Sequence, residues 1–126
     1  MTVQEFIRRE ASLPPYPGAC CRMIDHWFVA RLGFSALVRF GRDFETDEDV
    51  KQWLAEPGGI AVAVNRVMRA AGFRKTNEPG AGDVALIIHR GRICMALNDG
   101  SRWVSRDDQG MIGVPLGSPC KAWKLV

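Results

Sequence analysis

The chain has 126 residues, 47% of them hydrophobic and 25% charged, enough for one ordinary domain with a hydrophobic core. Its net charge of +3 comes from scattered basic residues with no aromatic-interleaved basic run, so a nucleic-acid partner is not expected. No apolar run approaches the ~20 residues of a membrane span, and MTVQEFIRRE lacks the apolar core of a signal peptide, so the chain is expected to be made and kept in a cytoplasm.

Residues 2–10 predict a short amphipathic helix with Val3, Phe6 and Ile7 on one side. LPPYPG follows as a stiff connector, because each proline fixes its own backbone and disfavours helix just before it. From Ala19, Cys20, Met23, Ile24 and Trp27 recur at helical spacing, and Gly33 is a C-terminal stop. Arg22, Asp25 and His26 share the other face. Thr46 is a good N-cap for DEDVKQWLAE, with acidic residues at the positive end of the helix dipole. Pro57-Gly58-Gly59 breaks that helix. IAVAVNRVMRAAG supplies the next, with Ile60, Ala63, Val64, Val67, Met68 and Ala71 on its apolar face.

The period then changes. GDVALIIHRG and RICMAL read as strands joined towards NDGS, a tight turn. RWVSRD, MIGVPL and CKAWKLV can each add another. Helices fill the first half and strands the second, which predicts an α+β fold with an antiparallel sheet.

The four cysteines are Cys20, Cys21, Cys94 and Cys120. No C-x-x-C occurs and neither histidine has a partner at ligand spacing, so no metal site is expected. At least two cysteines should be buried as small apolar residues. Cys20 and Cys21 fall in the first turn of a helix, where free N–H groups and the dipole favour a thiolate. Cys20 also lies on the Met23/Ile24/Trp27 stripe, so nucleophile and core residue both remain open. A nucleophile needs a base. His26 lies six residues on, about 240° around the helix, so it points away and reads as solvated or locally bonded. His89 ends the strand DVALII; it could approach Cys20 if that strand packs beneath the helix, or face water. Trp53, Trp103 and Trp123 read as core or groove packing, and Asp107-Asp108 as a solvated turn. No G-x-G-x-x-G, Walker loop or H-E-x-x-H occurs, and no cofactor is expected.

The pieces CCRMIDHW, GRDFETDEDVKQWLAEPGGI, AGDVALI and VPLGSPCKAW, in this order, resemble the NlpC-type cell-wall peptidases, circularly permuted relatives of papain. More narrowly, the chain resembles a small NlpC-like family among phage and prophage tail genes. The resemblance covers nearly all of it as one domain, residues 1–126. It implies a papain-like fold with N-terminal helices packed on a C-terminal sheet. Active members cleave amide bonds in peptidoglycan stem peptides with a helix N-terminal cysteine, a histidine base opening the next strand, and a third polar residue orienting that histidine. By position Cys20 matches the nucleophile, and Ala19 stands where Asp usually precedes it. Arg92 stands where the histidine is expected and Ser105 at the third position. Arginine keeps its proton and cannot be a general base. A three-residue shift would bring in His89, but it would reverse the strand's facing.

The resemblance therefore implies a degenerate hydrolase, non-catalytic or weakly catalytic, working in tail assembly or host-envelope contact. Its partners would be phage tail proteins and peptidoglycan. It would be made in the bacterial cytoplasm and carried in the virion tail. The alternative is an active cysteine endopeptidase on peptidoglycan, with Cys20 as nucleophile and His89 as a displaced base.

Overall fold

The computed structural model describes residues 1–117 and 119–125. Ser118, within the motif VPLGSPCKAW, and Val126, the last residue of CKAWKLV, lie outside the described residues.

Helix α1 (Val3–Ala11) starts at Thr2, whose hydroxyl accepts the Glu5 N–H at 3.1 Å. It buries Phe6 completely against Trp27, with ring centroids 5.2 Å apart. Helix α2 (Ala19–Leu32) ends at Gly33, which takes φ +83° and returns its N–H to Phe28 and Val29 carbonyls. Helix α4 (Asp47–Leu54) carries the full capping box: the Thr46 hydroxyl accepts Asp49 N–H, and Asp49 accepts Thr46 N–H. Helix α5 (Gly59–Ala70) turns Ala63, Val64, Val67 and Met68 inward.

Between α2 and α4 the sequence suggests only a connector, yet residues Ala36–Phe40 form helix α3. Five residues cannot hold a helix by propensity. Asp25 of α2 supplies the missing support. Its carboxylate accepts the N–H groups of Ala36 at 2.8 Å and Leu37 at 3.1 Å, and the Ser35 hydroxyl at 2.5 Å. One helix thus caps the next with a buried side chain.

The strands are β1 (Arg74–Lys75), β2 (Val84–His89), β3 (Arg92–Asn98), β4 (Arg102–Asp107), β5 (Gly110–Pro115) and β6 (Lys121–Lys124). They form one antiparallel sheet in the order β1-β6-β2-β3-β4-β5. The architecture is therefore α+β, with helices first and sheet second. The two-residue β1 carries no sequence signal of its own, and exists because Lys124 and Trp123 pair with it.

Alternation along β2 and β3 separates two apolar clusters. Val84, Leu86, Met95 and Leu97 join residues of all five helices in the main core. Ala85, Ile87, Ala96, Trp103 and Ala122 form a second cluster built from strands alone. Trp53, Trp103 and Trp123 are all buried, as their surroundings in the sequence suggest. Asp107 closes the β4–β5 turn by accepting the N–H groups of Gln109 and Gly110.

Candidate active site

The double cysteine opens α2 after Gly18. Gly18 has φ +64°, and a Cβ there would strike the Phe44 ring, so no larger residue fits this approach to the helix. Arg22 of the same turn is tied to Asp43 at 2.6 Å and to the Phe44 carbonyl. The α2 N-terminus is thus fixed to the segment before α4.

A polar network fixes it from the other side. Glu10 is fully buried at the end of α1. His26 Nδ1 lies 2.6 Å from its Oε1, and the Tyr16 hydroxyl donates to the same oxygen at 3.2 Å. Arg106 of β4 donates to the Glu10 carbonyl and, at 2.6 Å, to the Leu13 carbonyl, and lies over the Tyr16 ring. Burial first, then the Glu10 charge, raise the Tyr16 hydroxyl well above its ordinary value. The stiff connector therefore carries Tyr16 into a lock joining α1, α2 and β4. Arg22, Asp25 and His26, at i, i+3 and i+4 of α2, share one face as their spacing predicts. They serve three separate partners: Asp43, the α3 N-terminus and Glu10.

Cys20 and Cys21 pack against the main core, with their sulfurs 4.0 Å apart. Cys20 is lowered from the ordinary thiol value to about 7. The Cys21 S–H is the largest cause; burial opposes it, and the Met95 N–H and the helix N–H groups of Cys20 and Cys21 assist. Cys21 is pushed well up by its neighbour Cys20 and by burial. It lines a small apolar cavity of about 30 Å³ with Ile24, Phe28, Leu37, Val64 and Met95. Cys21 is a packing residue that also supports the Cys20 thiolate.

Cys94 stands one residue before Met95. Burial and the nearby Cys20 charge raise its thiol, while Ser105 and Arg92 pull it down. None of the four cysteines is fully buried, against the expectation for at least two: Cys20, Cys21 and Cys94 are half-buried and Cys120 is exposed. Cys20 and Cys21 pack on the helix-covered core, whereas Cys94 packs against the second cluster on the other face of the sheet.

Ser105 is fully buried, and its hydroxyl donates to the Met95 carbonyl at 2.7 Å. It fastens β4 to β3 and orients no base. Ser105 thus bonds the Met95 backbone, which also helps to lower the Cys20 thiol. Arg92 is exposed at the start of β3 and pairs directly with His89 across the hairpin, so the two share one face of the sheet and the expected reversal between them does not hold. Its charge bears on Cys94.

His89 follows Ile87 by two positions and therefore shares the face of the second cluster. Cys20 packs on the opposite, helix-covered face. The structure does not bring these two residues together. Among the described residues neither histidine is hydrogen-bonded to a cysteine, because His26 is held by Glu10. Sequence reasoning missed Glu10, Tyr16, Arg106 and the Met95 N–H. A glutamate at an otherwise apolar helical position was the one available signal for the first.

No helix among the described residues is long and apolar enough to cross a membrane. No group of three or more metal-binding side chains occurs among them. No family model, curated protein or solved structure matches the chain.

Proposed function

We propose that the chain is an NlpC-like, papain-like domain of a phage tail tip. In it the hydrolase frame serves tail assembly or host-envelope contact, and amide cleavage is weak or lost. The supporting observation is Cys20 at the start of α2, in a nucleophile's place, with no histidine bonded to it.

The chemistry follows from that geometry. Attack on an amide needs a thiolate and then a proton for the departing amine. The Cys21 S–H, the Met95 N–H and the helix N–H groups supply the first requirement. Among the described residues no histidine or carboxyl group is bonded to Cys20 to supply the second. Arg92, at the position where the resemblance expects the base, is a guanidinium and no general base. Positioned acid–base groups contribute roughly 10²–10⁴-fold in such reactions, so their loss leaves binding with little turnover. Tail proteins and peptidoglycan are the partners that this reading names.

The second reading, an active endopeptidase on peptidoglycan stem peptides, draws support from the lowered Cys20 thiol. Both are tested together by incubating wild type and Cys20→Ser with purified peptidoglycan. The assay follows newly released amino groups, and the protein retained on the sedimented sacculi. The degenerate reading expects retention without Cys20-dependent release. Release that disappears in Cys20→Ser would overturn it in favour of the peptidase. The absence of both retention on the sacculi and Cys20-dependent release would overturn both readings.

A further inference from the structure

The two edges of the sheet are unlike. At one end β1 has two residues, Arg74 and Lys75, both charged and exposed. Short length and positive charge are the ordinary means of blocking edge-to-edge pairing. At the other end β5 runs for six residues, Gly110–Pro115. From Gln109 to Cys120 the chain carries no Asp, Glu, Lys or Arg. Among the described residues β4 is the one strand that pairs with β5, and the outward backbone groups of β5 are unpaired.

The side chains of this strand are apolar on both sides, with Arg102 of β4 lying over Gly113. Met111 packs on the main core and Val114 on the second cluster, while Ile112 is half-exposed. Leu116, just beyond, is 46% exposed. Pro115 lacks an N–H, which confines any added pairing to Gly110–Val114.

We propose that β5 pairs with β5 of a second copy of this chain, antiparallel about a two-fold axis, to join the two sheets. The strand suits itself as a partner. A two-fold antiparallel pair opposes Gly110–Val114 to the same uncharged segment, so no like charges meet and apolar side chains face apolar ones. The outward N–H and C=O groups of each copy then satisfy those of the other. The proposal is independent of any chemistry at Cys20, which lies on α2.

The test is sedimentation velocity over a wide concentration range, with amide hydrogen exchange resolved along β5. The expected result is a concentration-dependent dimer in which the outward β5 amides gain protection as the dimer forms. Ile112→Lys places like charges near the two-fold axis and should weaken association by about tenfold or more. Leu116→Lys, at an exposed site, serves if the first variant does not fold. A protein monomeric throughout the range, with unprotected β5 amides, would overturn the proposal. So would a dimer whose protected amides lie elsewhere, or one indifferent to the charged variants.

Discussion

Cys21→Ala isolates the largest influence on the Cys20 thiol. In the wild type Cys20 is lowered to about 7, so about half of it is thiolate at neutral pH. The alanine variant removes the S–H that contributes most, while burial, which opposes ionisation, remains. The Met95 and helix N–H groups also remain, so the midpoint should rise by about one unit or more, towards the ordinary ~8.5 of a free thiol. At pH 7 the thiolate fraction then falls roughly five- to fifteenfold. A more basic thiolate is also a better nucleophile, with a Brønsted slope of about 0.4–0.5, so the observed rate at pH 7 falls only a few-fold. The midpoint, not the rate, is the diagnostic quantity. It is read from iodoacetamide modification against pH, with Cys20 followed by fragment-resolved mass spectrometry because Cys120 is exposed and reacts separately. A Cys20 midpoint still near 7 in Cys21→Ala would refute the assignment of the S–H as its main support. Slow modification of Cys20 at every pH in the wild type would instead make the pair plain packing.

Other consequences can be checked on the same preparation. His89→Ala should leave the Cys20 midpoint and rate unchanged, since the sheet separates the two side chains; a raised midpoint would revive His89 as a base. Asp25→Ala removes three acceptor contacts at the α3 N-terminus and should cost about 1–3 kcal/mol in urea unfolding. Asp25→Asn keeps an acceptor and should cost less. Tyr16 is the chain's one tyrosine, so absorbance at the tyrosinate band reports it alone. The native protein should show no tyrosinate where the unfolded chain titrates, near pH ~10. Because the folded hydroxyl is raised, its contribution to stability is complete below the unfolded value and is lost as pH climbs towards the folded one. Tyrosinate forming near pH ~10 in the folded protein would contradict the Glu10–Tyr16 contact.

Much of the architecture was legible because its signals are local. The stripe Cys20/Met23/Ile24/Trp27 and Gly33 mark α2, and Thr46 with Asp49 marks α4. The hairpin strands around residues 84–107 follow from their apolar runs and turns. The placing of Cys20 at a helix start was legible for the same reason. The short α3 was not, because its local Ser35 cap is held in place by Asp25, eleven residues before Ala36. Nor was the insertion of β6 between β1 and β2, since strand order depends on the path of the whole chain.

The site divides in the same way. Periodicity and turn residues determined which side chains stand on helices and which on strands, because each depends only on neighbours along the chain. Tertiary structure alone decided that His26 meets Glu10, that His89 and Cys20 lie on opposite faces of the sheet, and that the Met95 backbone helps to lower the Cys20 thiol. A buried glutamate leaves a faint trace in sequence, but a backbone N–H leaves none. Every residue except proline carries one, and only the packing of α2 on the sheet selects which one influences the thiol.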